Sequence, residues 1–125
     1  MLLRNSLALF VFVGLVTACA AFETSEATHI LSGPSFPPTD ATSVSIYIEK
    51  PNFAYTVVGI VEARGIGLTN EARDQELALQ ALKKEAASIG ADGVIISDSN
   101  QEIAGISKYG TSTERRIKGL AIHRQ

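Results

Sequence analysis

Between Asn70 and Ile89 the chain carries one long amphipathic helix pattern, and the stretches on either side of it read as strands. Ala72, Gln75, Leu79, Leu82, Ala86 and Ile89 recur at intervals of three and four, which lays one stripe along one face of a helix. Arg73, Asp74 and Lys84 fall on the opposite side, and Leu77, against the stripe, is expected to be exposed or covered by a returning segment. Asn70 suits the N-cap, and Glu71 and Asp74 put negative charge in the first turn, where the helix dipole favours it. Gly90 follows as the C-terminal cap, and Asp92-Gly93 turns the chain into an apolar strand, Val94-Ile95-Ile96. A helix with one apolar face covers one face of a sheet. That constraint leaves the sheet's other face solvated, covered by something else, or offered to a partner.

The strand signals are of two kinds. Val44, Ile46 and Ile48 alternate with Ser45, Tyr47 and Glu49, the mark of a half-buried strand. Tyr55 to Arg64 is a β-rich run long enough for a central strand, which Gly65-Ile66-Gly67 is expected to end. Beyond Ile96 the polar run Ser97 to Gln101 interrupts the pattern, Ile103 to Tyr109 offers a short strand, and Gly110 to Thr113 reads as a mobile turn. Glu114 to Arg124 closes the domain as a strand, with Ile117, Gly119 and Ala121 on one face and Leu120 and Ile122 on the other. The expected class is α+β: one amphipathic helix on one face of a small four- or five-stranded sheet, mixed or mostly antiparallel, preceded by a signal peptide and an irregular tether.

The amino-terminal region sets the address. Leu7 to Val16 is an uninterrupted apolar segment behind Arg4, shorter than the roughly 20 residues of a spanning helix. It ends at small residues and meets the single cysteine, Cys19. Leu15-Val16-Thr17-Ala18-Cys19 resembles the lipobox of bacterial lipoproteins. The resemblance implies removal of residues 1–18 and a diacylglyceryl group on the Cys19 sulfur. It also implies acylation of the freed amine, by palmitate for example, and a membrane partner reached through those acyl chains. Ala20 after the cysteine implies, by Gram-negative sorting rules, the outer membrane facing the periplasm. Ala18-Cys19-Ala20 also fits ordinary secretory cleavage, which would discard the thiol. A lone cysteine forms no internal disulfide, so the fold must stand on its core.

Residues 19–43 are rich in Ser, Thr and Pro and have no sustained apolar period, so they are expected to form the flexible tether, with the domain spanning 44–125. Such a tether would reach about 80 Å stretched and about 30 Å as a coil. Within it, His29-Ile30-Leu31 is able to dock as an edge strand. The formal net charge of −2 and the lack of a basic stripe argue against a nucleic-acid partner.

Pro37-Pro38-Thr39-Asp40, Ser43 to Tyr47, Tyr55 to Val61, Gly90-Ala91-Asp92-Gly93-Val94-Ile95 and Gly119 to Ile122 together resemble small exported bacterial lipoproteins of unknown function. The domain of that family is similar to the Rcs envelope-stress sensor lipoprotein and to YbjQ-like domains, which carry a heavy-metal-binding label. The resemblance covers most of Pro37 to Arg124 and implies a fold. The Rcs sensor resembles a disulfide-stapled version, and here no second cysteine exists to carry a redox role. The metal label finds only His29 and His123, with no ligand spacing, and no metal or other cofactor is expected.

Four smaller candidates remain. Gly65 and Gly67 before a helix suggest a phosphate cradle, but Asn70 stands where the dinucleotide fingerprint needs glycine. A hydrolase would need Ser97, Asp98 or Asp92 to converge on His123; otherwise Asp92 and Asp98 are turn residues. Tyr47, Tyr55 and Tyr109 suit an amphipathic contact patch, although packing on the sheet is the simpler use of Tyr55. Arg115, Arg116, Lys118 and Arg124 form the only basic cluster, suited to a solvated edge or to anionic head groups. The expectation from sequence is a non-enzymatic binding or interaction module of the cell envelope, with stress sensing within its range and an envelope protein as partner. A small-ligand or metal-binding periplasmic domain is the alternative.

Overall fold

A computed structural model describes residues 24–67, 71–107 and 110–125. The leader, Cys19 and the Asn70 cap therefore lie outside the described residues. Five strands and one helix follow in the order β1 (Thr24–Leu31), β2 (Ser45–Tyr47), β3 (Tyr55–Gly67), α1 (Glu71–Ser88), β4 (Gly93–Ser107) and β5 (Gly110–Arg124). They form one sheet in the order β1-β3-β5-β4-β2, antiparallel throughout except for the short β2–β4 pair. The α+β class expected from the sequence is the class found.

The largest departure concerns the stretch expected to be a loose tether. Residues 24–31 pair along their whole length with β3, from Thr24 opposite Ile66 to Leu31 opposite Gly59. The edge strand expected at His29–Leu31 is thus present and begins earlier. Beyond it, Ser32 and Gly33 donate to the Val58 carbonyl. The chain then wraps the far end of α1: the Thr39 N–H donates to the Ala87 carbonyl at 2.8 Å and its hydroxyl to the Ala91 carbonyl at 2.5 Å. Asp40 caps a 3-10 turn over Ala41–Ser43 by accepting from the Thr42 N–H, an interaction that lowers its carboxyl pKa. The Ser/Thr/Pro composition that mimics a linker here supplies backbone and side-chain hydrogen bonds to a neighbouring surface.

The helix is present with nearly the expected limits, but rotated. Asp74, Ala78, Leu82 and Ala86, spaced four apart, are fully buried, while Ala72 and Gln75 are exposed and Leu79 is half-buried. Gly65 explains the turn of the face: a Cβ there would sit 2.3 Å from the Asp74 carbonyl oxygen and 2.8 Å from the Ala78 nitrogen. The helix backbone rides directly on that glycine, and only the alanine-rich side of α1 can approach so closely. Leu77 is half-buried beside it. The core lies between this face and Val58, Val61 and Ala63 of β3, Ile117 and Ala121 of β5, and Val94 of β4.

The helix ends as its sequence dictates. Gly90 takes a φ of 84°, Ala91 N–H bonds to the Ala86 carbonyl, and Gly90 N–H bonds to that of Ala87. This is a Schellman closure, in which glycine avoids the strain a side chain would meet. Phe36 packs against Gly90 and stacks on His123 at 4.0 Å between ring centroids.

The remaining corrections concern strand lengths. β2 stops at Tyr47, so Ile48 does not join Val44 and Ile46 on the inner face and is 84% exposed. Gly65–Gly67 stay within β3, the polar run Ser97–Gln101 continues β4 without a break, and Gly110–Thr113 belong to the long β4–β5 ladder, not to a mobile turn. Register shifts between Ile96 and Asp98 and between Ile103 and Gly105 absorb the polar run without breaking the pairing.

Candidate functional site

The helix covers one face of the sheet, and alternation along each strand places the intervening residues on the other. Cross-strand register puts Ile30, Ile60, Leu120 and Ile95 in one row across four strands. Ile30 is 68% exposed and the other three are half-buried. The next row pairs Thr28 with Glu62, Glu62 with Lys118, and Lys118 with Asp98. In the row after, Arg64 lies opposite Arg116, a like-charge pairing that is unfavourable unless compensated. Glu114 compensates it: its carboxylate lies 2.9 Å from Arg116 Nε and 3.6 Å from the Arg64 guanidinium, with only 9% of its side chain exposed. Glu26 on β1 completes the group by accepting from Arg64 Nε at 2.9 Å. That hydrogen bond and the Glu26 charge push the guanidinium pKa up further, with Glu114 adding to them.

One end of this face is covered. Phe53, from the loop between β2 and β3, meets Tyr47 and Tyr55 edge-on at 5.8 and 6.4 Å, and the Arg124 guanidinium lies 4.3 Å over its ring. Ile122 is fully buried, and the Tyr47 ring lies over Gly93 next to it. Tyr47 and Tyr55 therefore each pack against Phe53. Tyr109 lies outside the described residues.

The other candidates are placed as follows. His123 Nδ1 is 3.0 Å from the Gly90 carbonyl and 3.9 Å from Asp92. Ser97 donates instead to the Lys118 carbonyl, and Asp98 accepts from Asn100, both well along the sheet from His123. Of the three residues a hydrolase would bring to that imidazole, only Asp92 comes near. Asp92 also accepts the Arg124 N–H on both oxygens at 3.1 Å, so it ties β4 to β5 besides making the turn. His29 meets Glu85 of α1 at 2.5 Å, fastening the edge strand to the helix. Among the described residues, no three His, Cys, Asp or Glu side chains gather to hold a metal ion. Gly65, half of the suggested phosphate cradle, is filled by the α1 backbone, and residues 68–70 lie outside the described residues. The basic cluster is divided, since Arg116, Lys118 and Arg124 face away from the helix while Arg115 reaches Ser99 on the helix side at 3.5 Å.

Neither the pattern of large apolar residues nor the charges revealed the buried pair of Asp74 and Thr113. The Thr113 hydroxyl donates to one Asp74 carboxylate oxygen, and the other oxygen is buried without a hydrogen-bond partner among the described residues. The only sequence signal was the spacing of Asp74 with Ala78, Leu82 and Ala86. Thr113→Val should leave both oxygens without a hydrogen bond and cost about 1–3 kcal/mol of stability by urea denaturation. Thr113→Ser, which keeps the donor, should lose less.

No protein-family model matches this chain, and no curated protein matches it. Among solved structures, the fold is similar to the crystal structure of a Francisella virulence factor, FvfA, in its orthorhombic form. The TM-score is 0.53 at 19% identity, over 82% of this chain and 100% of that one. At that identity the likeness is one of fold. No helix among the described residues is long and apolar enough to cross a membrane.

Proposed function

We propose that this protein is a lipid-anchored lipoprotein of the cell envelope whose α+β domain is a non-enzymatic interaction module. The observation that carries the module reading is the sheet face opposite α1. Its apolar row Ile30, Ile60, Leu120 and Ile95 is flanked by a charged, internally paired array, and Phe53 covers only one end of it. An apolar strip with a polar margin is the usual anatomy of a protein contact. The resemblance to the Rcs-sensor and YbjQ-like lipoproteins points the same way, and so does the lipobox-like run ending at Cys19. Each buried methylene contributes about 0.8 kcal/mol, so two or three acyl chains on Cys19 hold a domain stably where one would not.

Intact mass of the mature protein tests the anchor. A mass matching a diacylated or triacylated start at Cys19 is expected, and a plain start at Ala21 would refute it. Cys19→Ser should abolish lipid labelling and leave the protein unprocessed or displaced from the membrane. The module is tested by a photo-crosslinking residue at Leu120 in cells. It should capture one discrete envelope protein, and the yield should fall several-fold when Ile60 is changed to Arg.

A further inference from the structure

The open face of the sheet carries a charge pattern that is complementary to itself. In the row next to the apolar one, Glu62 of β3 and Lys118 of β5 are neighbours in register and both are exposed. Neither charged group makes a hydrogen bond or ion pair among the described residues. The row beyond them differs, because Glu114 and Glu26 already neutralise Arg64 and Arg116 there. The charge thus changes sign across the line between β3 and β5. A two-fold axis along that line turns a second sheet over so that its β5 lies above β3 and its β3 above β5. Glu62 then faces Lys118 of the second copy, and Lys118 faces Glu62 of that copy, the reciprocal match that an isologous contact requires. One row along, Ile60 meets Leu120 of the second copy, and Ile30 meets Ile95. Sheets packed face to face stand about 10 Å apart and cross at about 30°, so the residues nearest the axis keep this register best. An axis across the strands gives no such match. It lays like charge on like, or the charged row on the apolar row or on the Phe53 end.

We propose that the face opposite α1 binds a second copy of this chain, sheet on sheet, about a two-fold axis along the strands between β3 and β5; this names the partner of the interaction module and rests on that reading. The position of Cys19 fits the same axis. Thr24, which opens β1, is five residues beyond it. Rotation about the strand direction leaves both copies pointing the same way, so both Thr24 residues lie at one end of the pair and both anchors enter one membrane. An axis across the strands would send the two chains off opposite ends. Four strands and the rows from Thr24 to Ile30 make a plane about 20 Å on a side, at the small end of specific contacts. Holding both copies in one membrane raises their effective concentration and offsets that modest size. The axis also brings the two Phe53 side chains to the same end, where they bound the contact.

The test uses the full-length protein in its own envelope, expressed as two copies with different epitope tags after Gln125, one of them with a photo-crosslinking residue at Leu120. The adducts should carry both tags. Glu62→Lys or Lys118→Glu, placed in both copies, should each lower that yield at least five-fold, because either change sets like charges across the axis. Co-expressing a Glu62→Lys copy with a Lys118→Glu copy should restore at least half of it, since every lysine then faces a glutamate of the other copy. Adducts with a different envelope protein would overturn the second copy as the partner and leave the module reading standing. The absence of any protein adduct would overturn both. A doubly tagged yield that neither variant lowers, or that the mixed pair does not restore, would overturn the two-fold arrangement. Thermal melts identify a single variant that fails to fold. In that case the double variant Glu62→Lys/Lys118→Glu, which keeps opposite charges side by side within each chain, should crosslink to itself as the wild type does, and its failure would overturn the arrangement instead.

Discussion

A protein beginning at Val44 will show no cooperative unfolding transition, whereas one beginning at Glu23 will unfold cooperatively in urea. The shorter chain lacks all of β1, and with it eight residues of pairing along β3, which becomes an exposed edge. It also loses the His29–Glu85 contact, the Arg64–Glu26 pair and both Thr39 hydrogen bonds to the end of α1. Ala27, Phe36 and Ala41 leave the margin of the core, and the Phe36 ring leaves His123. Burial of three such side chains contributes on the order of 3–5 kcal/mol, and each lost hydrogen bond about 1 kcal/mol. The sum is comparable with the whole stability of a typical small domain, about 5–15 kcal/mol. A truncated protein that melts cooperatively near the temperature of the longer one would show that residues 24–43 are dispensable, as a tether would be.

What was legible in this chain depended on whether a local signal and a tertiary contact agreed. Gly90 was readable as a cap because a left-handed residue after a helix has a local cause, and its φ and hydrogen bonds follow from it. The faces of β5 were readable for the same reason: alternation alone puts Ile117, Gly119 and Ala121 against the helix. Residues 24–28 were not readable, although His29–Leu31 were. Thr24-Ser25-Glu26-Ala27-Thr28 has little apolar alternation, and it becomes a strand because β3 presents a free edge and because Glu26 and His29 find Arg64 and Glu85 across it. The long β4–β5 ladder was hidden in the same way, since backbone pairing needs no apolar side chain and two register shifts carry it through polar sequence. Of the candidate site, the need for an uncovered face followed from counting helices. Its composition did not, because the rows arise from pairing register, and the ring that Tyr47 and Tyr55 meet is Phe53, in a loop with no pattern of its own.

The rotation of α1 has the sharper mutational consequence. Leu79 and Leu82 are alike in type and lie on the same stripe of the sequence pattern, so periodicity alone predicts similar losses on truncation to alanine. The structure predicts a wide separation. Leu82 is fully buried against β3 and β5, and Leu82→Ala should cost about 2–5 kcal/mol, a fall in Tm of about 10–20 °C for a domain of this size. Leu79 is half-buried and lines an open groove with Ile46, Ala72 and Gln75, so Leu79→Ala should cost about 1 kcal/mol. The complementary change is Ala78→Leu, since Ala78 lies where the helix backbone meets Gly65 and no larger side chain fits without moving the helix. Overpacking of that kind costs about 1–3 kcal/mol, whereas the same change at the exposed Ala72 should leave the melting curve nearly unchanged. Equal losses at Leu79 and Leu82, with Ala78→Leu tolerated, would mean that the helix lies on the face its large residues suggest and that Gly65 does not set its approach.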